Sequence, residues 1–305
     1  MGDLDGKVAI VTGAAHGLGR VEALQLASQG ARLVINDLGT KADGTGRDES
    51  AARAVVEEIR SQGGEAVAHF GDVADWNDAQ SLIRTALDSF GQLHILVNNA
   101  GFIRDAMPWN LSEQDFDDVV RVHLKGHFAP MRFAMAWWRD TAKAKGQPLY
   151  GRIINTSSEA CLFGSPAQFN YAAAKAGIVA MTMGAAQLMT KYGVTANAFM
   201  PRARTRMTDS GPLAAMFAQP ESGFDTFAPE NATPLVGYLA SPRAERISGY
   251  LFVIWNKEVK VVSRPGVEAA FQADDRWTPD ALHEQLGPWF EKKQPVTDGY
   301  TVPPI

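Results

Sequence analysis

The chain is 305 residues long, 46% hydrophobic and 21% charged, with 34 acidic against 29 basic side chains and a formal net charge of −5. That balance argues against a nucleic-acid or membrane-surface binder, which carries a basic excess, and the composition excludes a disordered or fibrous chain. A single cysteine, Cys161, can form no disulfide framework and fits a reducing, cytoplasmic setting.

Residues 1–7 lack the apolar stretch of a secretory signal, and no later run is expected to reach the ~18 apolar residues of a membrane span. Lys7 to Thr12 reads as a β-branched strand, Gly17 to Gln29 as a helix and Ala31 to Asp37 as a second strand. The alternation continues with a helix over Glu49 to Ser61, a strand over Ala66 to Phe70, a helix over Asn77 to Phe90 and a strand over His94 to Val97. A long helical segment follows Ser112. After it come the strand Arg152 to Thr156, a helix over Phe169 to Tyr192 and the strand Val194 to Phe199. Apolar runs without period-two alternation predict strands covered on both faces, hence a parallel sheet between helix layers. Residues 201–229 break the pattern and read as a lid-like insertion. A seventh strand, Tyr250 to Ile254, precedes a polar extension over 256–305 with one helix, Pro279 to Lys292.

The first chemical signal is Thr12-Gly13-Ala14-Ala15-His16-Gly17-Leu18-Gly19, three glycines where a strand must turn into a helix. Glycine there lets backbone amides approach a pyrophosphate at the positive helix N-terminus. Any tight strand-to-helix turn can also use glycine, but Asp37 at the end of the second strand answers this one. Its carboxylate can accept bonds from ribose hydroxyls, and it repels a 2′-phosphate, with Leu38 rather than arginine following, so NAD is expected over NADP. His16 either adds partial charge near the phosphates or caps the helix.

The second signal is Tyr171-Ala172-Ala173-Ala174-Lys175, which on a helix brings phenol and ammonium to one face. A phenol with a pKa near ~10 is a poor base at neutral pH, and an adjacent cation favours phenolate. Ser158 follows the strand Arg152 to Thr156 at the carboxyl edge of the sheet, where its hydroxyl can hold a reacting oxygen. Singly, these are an exposed pair and a loop start; with the nucleotide turn they form a set. Cys161 lacks an activating constellation and reads as packing. Among six histidines only His123 and His127 share helical spacing, with no third ligand, so no metal is expected.

In order and spacing, Thr12-Gly13-x-x-x-Gly17-x-Gly19, Asp72-Val73, Asn98-Asn99-Ala100-Gly101, Ser158, Tyr171-x-x-x-Lys175 and Asn197-Ala198-Phe199-Met200-Pro201 resemble the short-chain dehydrogenase/reductase family. The resemblance covers about residues 4 to 255. It implies an α/β fold, a doubly wound parallel (Rossmann) sheet of about seven strands with helices on both faces. It further implies catalysis by Ser158, Tyr171 and Lys175, and a cofactor cleft of Gly13, His16, Gly17, Leu18, Gly19, Asp37, Asp72, Val73, Asn99, Ala100, Gly101, Tyr171, Lys175, Pro201 and Thr205. The family's usual catalytic asparagine is replaced by His123 in Val122-His123-Leu124-Lys125-Gly126, whose main-chain carbonyl could organise a proton relay behind Lys175. That segment, with Asn36-Asp37-Leu38-Gly39 and the likeness reaching Trp277-Thr278-Pro279, is similar to (3R)-hydroxyacyl-CoA dehydrogenase parts of peroxisomal multifunctional β-oxidation enzymes, also called 17β-hydroxysteroid dehydrogenases.

The resemblance therefore implies one dehydrogenase domain over 1–305, oxidising a (3R)-3-hydroxyacyl-CoA with NAD in fatty-acid or sterol side-chain β-oxidation. A free sterol is the alternative substrate, and a non-catalytic NAD sensor the alternative of another class. A small-molecule acyl-CoA or sterol is the expected partner, without nucleic acid or membrane, in a homodimer or homotetramer. Where the family carries Pro-Gly, this chain has Pro201-Arg202. Arg202, Arg204 and Arg206 could meet coenzyme A phosphates or solvent. Met207, Met216, Phe217, Phe224 and Phe227 could cover a greasy ligand or pack the insertion onto its own domain.

Overall fold

The computed structural model describes residues 2–41, 43–208, 214–264, 266–274 and 276–293. Its strands are β1 (Val8–Thr12), β2 (Arg32–Asn36), β3 (Ala66–His69), β4 (Ile95–Asn98), β5 (Gly151–Thr156), β6 (Val194–Pro201), β7 (Leu251–Trp255) and β8 (Glu258–Val262). They form one sheet in the order β3-β2-β1-β4-β5-β6-β7-β8, parallel through β7 and antiparallel at β8. The helices between them are α1 (Gly17–Ser28), α2 (Glu49–Ser61), α3 (Trp76–Phe90), α4 (Glu113–Val120), α5 (Gly126–Lys145), α6 (Ala160–Phe163), α7 (Phe169–Met189) and α8 (Thr233–Ala240).

The absence of alternation in β1 has a direct structural cause. Ala9 and Val11 pack into the core beneath α1, α2 and α8, while Val8 and Ile10 pack into the opposite core beneath α3, α5 and α7. Both faces are dry, so both sets must be apolar. The mostly parallel sheet between helix layers is the expected fold.

Two expectations need amendment. β8 lies within the stretch expected to be polar tail; its valines Val259 and Val261 are exposed on an outer strand, so no buried-run signal marks it. It returns through Asn256, whose φ of 55° places it in the left-handed region that asparagine tolerates. In addition, Phe169–Tyr192 is long and apolar enough, by length and composition, to cross a membrane. Here that segment is a helix packed on β6 and α4, with 39% of its apolar window buried.

The chain divides into two compact units, Met1–Val262 and Ser263–Ile305. In the second, α9 (Pro279–Phe290) begins at Thr278, whose hydroxyl accepts from the Ala281 amide, and the Trp289 ring meets Phe271 edge-on.

The order of β1 and β4 makes the topological switch point: β1 pairs with β2 on one side and with β4 on the other. Connections there leave in opposite directions and open a crevice at the carboxyl ends of the strands.

Candidate active site

The crevice begins at the turn after β1. Gly13 has a φ of +63°, and a Cβ there would stand 2.7 Å from Ala100 Cα; one at Gly19 would stand 2.2 Å from the Gly13 carbonyl oxygen. Only backbone fits at these two positions. Asn99 locks the turn from β4: its Nδ2 donates to the carbonyls of Thr12 (3.1 Å) and Gly13 (3.2 Å), while Thr12 Oγ1 accepts from the amides of Asn99 and Ala100. The first amides of α1 are thereby held open toward the crevice, an arrangement that fits a dinucleotide pyrophosphate.

Asp37, 8% exposed, accepts from the Ala15 amide at 2.9 Å and the Gly39 amide at 2.7 Å, one on each carboxylate oxygen. Each oxygen keeps lone-pair capacity for a ribose hydroxyl. Asp72 is held by the Ala74 amide (2.8 Å) and the Arg121 guanidinium (2.7 Å) beside Val73.

Of the expected cofactor set, Gly13, His16, Gly17, Leu18, Asp37, Asp72, Val73, Asn99, Ala100, Gly101 and Thr205 line this one crevice. Gly19 stands behind Gly13. Pro201 ends β6 and does not line the crevice, nor do Ser158, Tyr171 and Lys175. His16 occupies the N-cap position of α1, makes no side-chain capping bond and lines the crevice. Burial and the Arg206 charge lower its pKa, so it is neutral at pH 7.

The other expected residues meet beyond Gly101. A Cβ on Gly101 would stand 2.0 Å from His123 Cε1, and the His123 ring lies edge-on to Tyr171 with centroids 5.1 Å apart. Lys175 Nζ stands 5.3 Å from the Tyr171 ring centre. Lys175 is 2% exposed and donates to the Thr156 carbonyl at 2.6 Å, and burial pushes its pKa down to about 7. The ammonium is thus placed between the end of β5 and the tyrosine. Ser158 is two residues past Thr156, and its Oγ accepts from the Ala160 amide at 3.2 Å.

Asn170 secures the helix start that carries the tyrosine. It is fully buried, its Oδ1 accepts from the Tyr171 amide, and its Nδ2 donates to the carbonyls of Arg104 and Asp115.

His123 comes from a π-helical turn, Arg121–Lys125, between α4 and α5. A π turn adds one residue to the helical repeat and re-aims side chains, often at functional sites. His123 Nε2 bonds the Phe102 carbonyl at 2.7 Å, so the carbonyl assigns the proton to Nε2. Burial and the Lys175 charge bring its pKa down to about 3, so the ring is neutral. Its Nδ1 is buried without a hydrogen-bond partner. His127, expected to be packing or solvent, is fully buried one turn further on. Burial, Lys175 and His123 hold its pKa well below the usual value, against hydrogen bonds from its ring to the main chain of His123 and Asn98. The main chain of His123 is therefore engaged by His127, a residue whose role the spacing alone could not show.

Two of the three arginines are fixed within the chain. Arg202 pairs with Glu159 at 2.6 and 2.8 Å with both side chains buried, and Arg204 pairs with Asp225 and donates to the Phe217 carbonyl. Arg206 lines the crevice and donates to the Thr40 carbonyl at 3.2 Å. The insertion's aromatics divide likewise. Phe227 packs on Phe217 and Trp255, whereas Phe224 and Met216 are exposed and Met207 lines the crevice. Among the described residues no group of three His, Cys, Asp or Glu side chains could hold a metal.

These residues belong to a known family: the short chain dehydrogenase model matches residues 7–211, and the chain is a member of it. The chain is 45% identical over 300 residues to the hydroxyacyl-CoA dehydrogenase ChsB1 of Mycobacterium tuberculosis, covering 96% of this chain and 91% of that one. It is 40% identical over 245 residues to the peroxisomal multifunctional enzyme type 2 of Mus musculus, spanning 80% of this chain and 31% of that protein. The crystal structure of a short chain dehydrogenase from Mycobacterium avium superposes with a TM-score of 0.86 at 44% identity, covering 99% of this chain and all of the other. The chain is an oxidoreductase that uses a nicotinamide cofactor.

Proposed function

We propose that this chain oxidises the secondary alcohol of a (3R)-3-hydroxyacyl-CoA to the 3-oxoacyl-CoA with NAD as acceptor, in the β-oxidation of a fatty acid or a sterol side chain. The observation that carries the chemistry is the buried Lys175, held between the Thr156 carbonyl at 2.6 Å and the Tyr171 ring centre at 5.3 Å. Tyr171 Oη takes the hydroxyl proton as general base. Lys175 favours its phenolate and would hold the cofactor ribose, and Ser158 Oγ holds the substrate oxygen. The nicotinamide, when bound, accepts the carbinol hydride. The neutral His123 ring packs on Tyr171 and fixes its tilt. Asp37, with Leu38 after it, favours NAD over NADP.

The substrate class rests on the similarity to a hydroxyacyl-CoA dehydrogenase and on the surface beside the site. The segments flanking Ser158 and Tyr171 expose Leu162, Phe163 and Phe169, and the segment before α4, tied to them by Ala106 and Gln168, exposes Met107 and Trp109. Exposed large apolar side chains on these connected segments suit a bulky acyl group. Cytoplasmic placement follows the lone cysteine. Pairing of two copies through α5 and α7 is supported by the exposed Phe128 and Leu188.

The test is NADH formation from 3-hydroxyacyl-CoA thioesters of rising bulk, with free 17β-hydroxysteroids alongside and NADP in place of NAD. The thioesters are expected to give the higher kcat/KM. Preference for free steroids reverses the substrate assignment, and equal turnover with NADP overturns the role of Asp37.

A further inference from the structure

The turn that carries Ser158 is anchored on both sides, and the two anchors differ in kind. On the N-terminal side, the Ser157 amide donates to the Phe199 carbonyl at 2.8 Å and Ser157 Oγ to the Lys175 carbonyl at 3.1 Å. These are ordinary bonds to neighbouring elements. On the C-terminal side stands an ion pair. Arg202 Nε and Nη2 donate to the two carboxylate oxygens of Glu159, with side-chain exposures of 6% and 8%.

Arg202 is itself immobilised. Its amide donates to the Ile254 carbonyl at 3.1 Å, and its guanidinium lies 4.8 Å from the Trp255 ring centre. A planar fork packed against an indole and paired bidentately restricts the orientation of the carboxylate it holds. Charges buried this deeply cost desolvation, and a hydrophobic pair of like volume would serve stability as well or better. Stability alone therefore does not account for the pair. Its position does: Glu159 is bonded covalently to Ser158 and opens α6, so fixing its carboxylate fixes the turn from which the serine hydroxyl projects.

We infer that Glu159 and Arg202 are positioning residues for the dehydrogenase reaction: the pair sets the direction of Ser158 Oγ toward the reacting oxygen and touches neither substrate nor cofactor. This rests on the role proposed for Ser158. It also gives a purpose to the arginine standing where the usual glycine would follow Pro201, because only a side chain there can reach back to the β5 turn.

The experiment is a double-mutant cycle on the full chain, comparing wild type, Ser158→Ala, the paired replacement Glu159→Leu/Arg202→Met, and all three changes together. Removing both charges avoids leaving one buried alone. In the Ser158 background the paired replacement should lower kcat roughly ten- to hundredfold, the scale of an ångström of misplacement, with KM and NADH affinity changed less than about twofold. In the Ser158→Ala background it should lower kcat no further, since a group that acts through Ser158 has nothing left to position. An equal loss in both backgrounds, or wild-type kcat in the paired variant, overturns the inference. Full activity of Ser158→Ala overturns instead the serine assignment on which it rests. Should the paired variant fail to fold, Arg202→Lys takes its place in the cycle. It keeps the charge but loses the fork, and the same non-additivity is expected from a smaller drop.

Discussion

At the Gly13 end of the crevice the cradle is main chain packed on main chain, with no room for a Cβ at Gly13 or Gly19 and with Asn99 bonding carbonyls. On the side that carries Ser158 and Tyr171, five ionisable side chains are buried: Lys175, His123, His127, Glu159 and Arg202. The first end is shaped by exclusion of atoms, the second by placement of charge in a poorly hydrated space. Adding a methyl group should therefore damage one end, and changing a charge the other.

The largest expected effect falls on the charged end. Lys175→Met should lower kcat for alcohol oxidation by roughly 10²–10⁴. In the variant the midpoint of the rise of kcat with pH should lie above that of wild type, because the phenolate loses the neighbouring amine that stabilises it. A stopped-flow pH series checks both. The same group leaves a mark on stability. The folded pKa is about 7 against 10.5 for an ordinary lysine, so between those values the unfolded chain binds more protons and stability rises with pH. Lys175→Met should lose that slope in denaturant titrations of the cofactor-free protein.

Next comes Gly13→Ala, which places Cβ against Ala100 at a positive φ. Strain of about 1–3 kcal/mol should weaken dinucleotide binding roughly ten- to hundredfold while leaving the kcat of the loaded enzyme nearer wild type. Fluorescence titration with NADH measures the first, and a saturating assay the second. Equal loss of kcat and affinity would remove the distinction between the two ends.

A smaller effect is expected from Asp37→Ser, which should raise the ratio of kcat/KM for NADP over NAD by about tenfold as repulsion of a 2′-phosphate is relieved.

The smallest concerns Glu22 on α1, fully buried with both carboxylate oxygens unpartnered and its pKa pushed up by burial to about 8. Stability that the protonated carboxyl contributes is complete below about 4.5 and is lost as pH rises through about 8, since the unfolded chain ionises first. Glu22→Gln should therefore gain thermal stability relative to wild type between pH 5 and pH 8, by a few degrees at most. A constant difference across that range would contradict it.

Most of the first end was legible because its rules are local. A glycine where a strand must become a helix, and an acid at the next strand's end, are sequence-adjacent consequences of one βαβ unit. Tyr171 and Lys175 were legible for the same reason, being one helical turn apart. What escaped depended on distant pairings. Glu159 and Arg202 are 43 residues apart and meet only because β5 and β6 are neighbours. His127 looked like half of an isolated histidine pair until the π turn placed its ring against the main chain of His123. β8 went unseen because an exposed outer strand carries no buried-run signal.

The central claim is that the Tyr171 phenol, set by Lys175, is the base for alcohol oxidation. The direct measurement is single-turnover NADH formation by Tyr171→Phe, beside its NADH dissociation constant. The account predicts a loss of at least about 10³-fold in hydride transfer with dinucleotide affinity within about threefold of wild type. Turnover within tenfold of wild type would contradict it.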